Sequence, residues 1–84
     1  MPLFRFHSFN ALGLVRDEEG QELPDHAAAR VTALAAIRSI IADEAHQGRI
    51  DLRGRIEVRD EADRLLEVIQ YSDAFEITLA DSRP

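Results

Sequence analysis

Hydrophobic and polar positions change period several times along the chain, and each change marks an element. From Leu3 to Phe9 they alternate. Phe4 and Phe6 take one face and Leu3, Arg5, His7 and Phe9 the other, the two-residue period of a strand. Apolar residues on both faces predict a strand covered on both sides. Asn10 to Gly13 is turn material, since Asn and Gly tolerate positive φ. Leu14 to Arg16 returns as a short strand and closes a first hairpin. It stops at Asp17-Glu18-Glu19-Gly20, and Gln21 to Leu23 then lead into Pro24.

The period changes again at Asp25. The stretch to Gln47 holds no Gly or Pro and is the most Ala-rich part of the chain. It predicts one long helix, capped by Asp25 at its start and released by Gly48 at its end. No Glu or Gln follows Asp25 at the third position, so no capping box forms. Val31, Leu34, Ile37 and Ile41 share one face at 3/4 spacing, flanked by Ala27, Ala42 and Ala45. Thr32, Ser39, Asp43 and Gln47 mark the opposite face. Ile40 points away from the main stripe. A helix of this length spans roughly 33 Å, against about 20 Å for a six-residue strand. One small sheet leaves its last turns projecting or covered by a second chain.

After Gly48 strand periodicity resumes. Ile50 to Arg59 alternates, with Ile50, Leu52, Gly54, Ile56 and Val58 inward and Asp51, Arg53, Arg55, Glu57 and Arg59 outward. Gly54 marks a bulge or a close approach of the helix. Asp60 to Asp63 is a turn, and Arg64 to Tyr71 is the partner strand of a second hairpin. This strand has two apolar faces, Leu66 with Val68 and Leu65 with Ile69 and Tyr71. Ser72 to Ala74 reads as a turn or one helical turn, with Asp73 and Glu76 at capping-box spacing. Phe75, Ile77 and Leu79 then alternate as a short strand would. The expected architecture is an α+β fold of order ββαββ. Two hairpins form a mostly antiparallel sheet with the helix across one face, in one domain over 1–80, followed by a frayed polar tail over 81–84.

Eighty-four residues give one domain that buries only about 60–65% of its unfolded surface. Sixteen acidic residues against ten basic ones give a formal charge of -6, and every basic residue is Arg. That balance argues against nucleic acid as a partner. No apolar run reaches the ~20 residues of a membrane span, and the N-terminal residues lack the order of a secretory signal. Cys is absent, which removes disulfides and thiolate metal sites, so the cytoplasm is the expected location.

Candidate chemistry is sparse. Asp17, Glu18, Glu19, Glu22 and Asp25 crowd one segment, but their spacing departs from a calcium loop and reads as a solvated acidic turn. His26 and His46 lie about 30 Å apart on one helix and share no ion within a chain. His46 suits the negative end of the helix dipole, and His7 reads as a strand residue with a hydrogen-bond partner. Arg53, Arg55, Arg59 and Arg64 are interleaved with Asp51, Glu57, Glu61 and Glu67, which predicts cross-strand pairing in place of an anion site. The serines have no activating neighbours. No catalytic, cofactor-binding or metal-ligating residue is therefore expected.

The segments Phe6-His7, Asp17-Glu18-Glu19-Gly20 with Glu22-Leu23-Pro24-Asp25, Ala28-Ala29-Arg30, Gly54 to Val58 and Asp73 to Ile77 stand in a recognisable order. In this the chain resembles the bacterial domain-of-unknown-function family numbered 6894 over nearly its whole length. It departs in lacking an Asp-Gly turn between Ser8 and Gly13 and a Gly in the Glu61-Ala62-Asp63 turn. The resemblance implies the fold and the compartment but transfers no catalytic residue. A looser likeness of layout links it to HicB-type antitoxin domains.

Two functions follow as expectations. The first is a non-enzymatic module that forms a homodimer through Ile40, Leu65, Ile69 and Tyr71. The second is an antitoxin-like or regulatory protein that binds a small basic protein through Asp17, Glu18, Glu19 and Glu22, with the acidic helix end Asp43-Glu44.

Overall fold

The computed structural model describes residues 1–81. The chain runs β1 (Leu3–Asn10), β2 (Gly13–Val15), β3 (Gln21–Glu22), α1 (His26–His46), β4 (Arg55–Asp60) and β5 (Leu65–Gln70), followed by a 3₁₀ turn over Tyr71–Ala74. Most of the expected tail, from Ser82 onward, lies outside the described residues. The sheet order is β2-β1-β4-β5, with β3 on the same edge of β1 as β2, and every pairing is antiparallel. Both hairpins form, and α1 links them.

Local chemistry explains the turns. Asn10 Oδ1 accepts from the Leu12 amide, and Gly13 takes positive φ where β2 begins. In the second hairpin the left-handed position falls on Asp63, with φ 65°. Asp is among the few residues that tolerate that region, which is how the turn forms without Gly.

Asp25 caps α1, its carboxylate accepting from the Ala28 amide at 2.8 Å. At the other end Gly48 sits at φ 89°. Its amide reaches the Ala45 carbonyl and that of Arg49 the Glu44 carbonyl, so two carbonyls left open by the helix end are satisfied.

The helix face against the sheet differs from the expected stripe. Ala29, Ala33, Ile37 and Ile41 are buried, with Leu34, Ala36 and Ile40 packed beside them, whereas Val31 is 67% exposed. Two alanines let the helix backbone approach the sheet closely, and this turns Val31 outward. Phe4 from β1, Ile56 and Val58 from β4, Ile69 from β5 and the Tyr71 ring complete the core.

The strand expected over Ile50–Arg59 is shorter. Ladder pairing begins at Arg55, opposite Phe9 and Gln70, because β1 turns away at Asn10. Asp51 Oδ1 also accepts from the Arg53 amide, a local bond that takes this stretch out of regular extension. Gly54 is a place of close approach, but what approaches is the Tyr71 ring, not the helix. The segment Phe75–Leu79 joins no ladder and lies outside regular structure.

Candidate functional site: an apolar end and a polar sheet face

α1 is 21 residues long, about 32 Å, and overhangs the six-residue strands β4 and β5. Past the sheet the helix end has two companions, the stretch 49–54 and the segment Phe75–Leu79. Arg38 holds the second of these near the helix, its Nε donating to the Ala74 carbonyl at 2.9 Å. Between the three runs lies a groove of about 530 Å³, walled by Ile41, Ala42, Ala45, Ile50, Leu52, Phe75, Ile77 and Leu79, with Arg38, Glu76 and Thr78 at its border. Ile50, Ile77 and Leu79 are 63%, 55% and 85% exposed. Clustered exposed apolar residues of this kind mark association surfaces.

The whole-chain dimensions agree. The radius of gyration is 14.6 Å, against roughly 12 Å for a compact domain of this length. The accessible surface is 5983 Å², about 900 Å² more than the roughly 5050 Å² typical of a 9.5 kDa monomer.

The residues expected to form an interface fall elsewhere. Ile69 and Tyr71 are fully buried beneath the helix, so they are core and offer no surface to a partner. Ile69 lies on the helix-side face of β5, but a register shift at Val58/Arg59 sets Leu65 opposite Arg59, so it does not share that face. Ile40 is partly buried against the core. Leu65 is exposed, and the apolar residues exposed beside it are Leu66 and Val68. The sequence offered a signal for the groove in the alternation of Phe75, Ile77 and Leu79, but that segment reads equally well as one more strand of the sheet.

The sheet face away from the helix is polar at its centre, with exposed Val68 of β5 opposite Glu57 and exposed Leu14 of β2 opposite Phe9. Phe9, His7 and Arg5 of β1 stand opposite Arg55, Glu57 and Arg59 of β4. Glu57 receives both flanking arginines, Arg59 at 2.8 Å and Arg55 at 3.7 Å, and Arg55 stacks on the Phe9 ring. Arg53 pairs with Asp51 and Arg64 with Asp60. The arginine cluster is thus neutralised, as interleaving suggested, but along the chain, not across strands. Glu67 is on the other face, held by His26 and Arg30 of the helix. The Arg53 guanidinium, and then its amide, hold the Asp51 carboxyl down to about 2. The Arg64 amide, foremost, lowers that of Asp60.

His7 is buried, and its Nδ1 accepts from the Asp17 amide at 3.0 Å. The ring is therefore the neutral tautomer with its proton on Nε2. Asp17 is itself a structural residue. Its Oδ2 accepts from the Phe6 amide, which falls between the rungs of β2 and β3 on that edge of β1, and its Oδ1 accepts from the Gly20 amide. Of the four acidic residues expected to bind a partner, Asp17 is thus engaged within the chain, while Glu18, Glu19 and Glu22 are exposed. The Glu44 carboxylate has a buried oxygen, unlike the exposed Asp43 beside it. His46 is exposed in the last turn of the helix. Among the described residues no group of three or more His, Asp or Glu side chains is placed to hold a metal ion, and no helix is long and apolar enough to cross a membrane.

A small antiparallel sheet under one overhanging helix, with an apolar groove at the overhang, defines the class of this protein as a small α+β module. The chain belongs to the family described as Domain of unknown function (DUF6894), whose model matches residues 3–72. No curated protein and no solved structure matches it. The segment Phe75–Leu79 lies beyond the matched stretch.

Proposed function

We propose that this chain is a non-enzymatic module of the bacterial cytoplasm whose projecting apolar end is an association surface, with a second copy of the chain as its occupant. The observation that carries this reading is the excess of about 900 Å² of surface. A standard interface removes about 800 Å² from each partner, so a dimer closed over this end would restore the usual surface for the mass. The Cys-free sequence suits a reducing compartment. Sedimentation equilibrium over a wide concentration range is the test. A 9.5 kDa chain should sediment as a dimer of about 19 kDa, and Ile50→Glu or Leu79→Asp should shift it to monomer with an unchanged circular dichroism spectrum. A monomer at every concentration would end the proposal.

A second reading is favoured by Glu18, Glu19 and Glu22, which are exposed between β2 and the helix, Glu22 within β3. It is a regulatory protein that holds a small basic protein on this acidic stretch. Its test is capture of a stoichiometric basic partner from the host, lost when the three are changed to Gln.

A further inference from the structure

Phe75–Leu79 has the composition of a strand and no sheet to join. Phe, Ile and Thr favour extended structure, and the apolar residues alternate with Glu76 and Thr78. Phe75 has φ -134° and ψ 144°, already in the β region. The segment makes no ladder among the described residues, and Ile77 and Leu79, which wall the groove, stand exposed. A segment of strand composition that joins no ladder among the described residues, beside an apolar groove, is a template for strand pairing.

We infer that the segment pairs antiparallel with the same segment of a second copy, about a two-fold axis at Ile77. The inference rests on self-association as proposed above and names its contact. Chemistry selects the register. With Ile77 opposite itself, Phe75 faces Leu79 and Glu76 faces Thr78, so the two Glu76 carboxylates are kept apart. A register centred on Glu76 would set like charges directly opposite, which is unfavourable. In the chosen register all the apolar side chains share one face and close over both grooves, while Glu76 and Thr78 face water. The two-fold makes the contact self-complementary, so it closes as a dimer.

The native chain has no Cys, so single cysteines report proximity without background. The full-length chain would carry Cys at each of 75, 76, 77, 78 and 79 in turn and be oxidised gently, after the mass of the unsubstituted chain is known. The expected result is a dimer in which Ile77→Cys links to itself as the principal site, while Phe75→Cys links to Leu79→Cys when the two variants are mixed. Opposed side chains in such a pair come within the reach of a disulfide. A dimer that links at none of these positions would overturn this pairing and leave self-association standing. A chain that is monomeric throughout would overturn both.

Discussion

Gly54 lies against the ring of Tyr71: a Cβ at Gly54 would fall 2.4 Å from Tyr71 Cε2 and 2.6 Å from Cζ. The Tyr71 amide also donates to the Gly54 carbonyl at 2.9 Å, so backbone and ring both fix the pair. The ring is buried and cannot swing aside without opening the core. Gly54→Ala should therefore cost about 1–3 kcal/mol by overpacking, read from urea denaturation. A loss under half a kilocalorie would mean that the ring yields freely.

Tyr71 carries a cost of its own. Its hydroxyl is buried and has no hydrogen-bond partner among the described residues. An unmet buried hydroxyl costs on the order of 1–3 kcal/mol, so Tyr71→Phe should leave stability equal or raise it by up to about 1 kcal/mol. A loss of more than 1 kcal/mol would place a bound water on that oxygen.

Asp17 should behave unlike its acidic neighbours. Asp17→Ala removes the acceptor for the Phe6 and Gly20 amides and should cost about 1–3 kcal/mol. Glu18→Ala and Glu19→Ala, which alter exposed side chains, should stay within about 0.5 kcal/mol. Equal effects at all three would remove the structural role assigned to Asp17.

At Asp63 the prediction has the opposite sign. A non-glycine residue at φ 65° carries strain that glycine does not, so Asp63→Gly should raise stability by about 0.5–1 kcal/mol. Among the described residues the ion pair given up is the weak contact with Arg59, at 4.0 Å.

Asp51 gives a pH signature. Its carboxyl titrates near 2 in the folded chain, below the ordinary 3.8, because Arg53 holds the charged form. A depressed folded value means that the contact stabilises the fold fully above the unfolded value. That contribution fades as pH falls from about 4 toward 2. Carboxyl carbon shifts in an NMR titration should show this midpoint, and Arg53→Ala should return it toward the ordinary range.

Much of the fold was legible in the sequence, because periodicity and caps are local properties. Asp25 and Gly48 bounded the helix, and alternation marked both hairpins. What failed depended on distance in space. Which helix face meets the sheet turned on how closely Ala29 and Ala33 allow approach, so Val31 was misplaced and Ile40 drawn out of the core's company. The sides of β5 could not be told apart until Ile69 and Tyr71 were seen beneath the helix. The expected interface therefore fell partly on core residues. The groove was hidden for the same reason, since a local pattern cannot say whether Phe75–Leu79 finds a ladder.

The central pairing of β1 with β4 has a consequence for synthesis. Phe4 pairs with Asp60, so β1 is synthesised well before β4 and waits for most of the domain before its neighbour exists. Until then β1 has only the three-residue β2 and the two-residue β3 beside it. Two-stranded pieces of that size are not stable in water. The domain should therefore acquire its fold late and in one step, with a rate set by closing that long loop and with Phe4 and Phe6 open to chaperones in the interval.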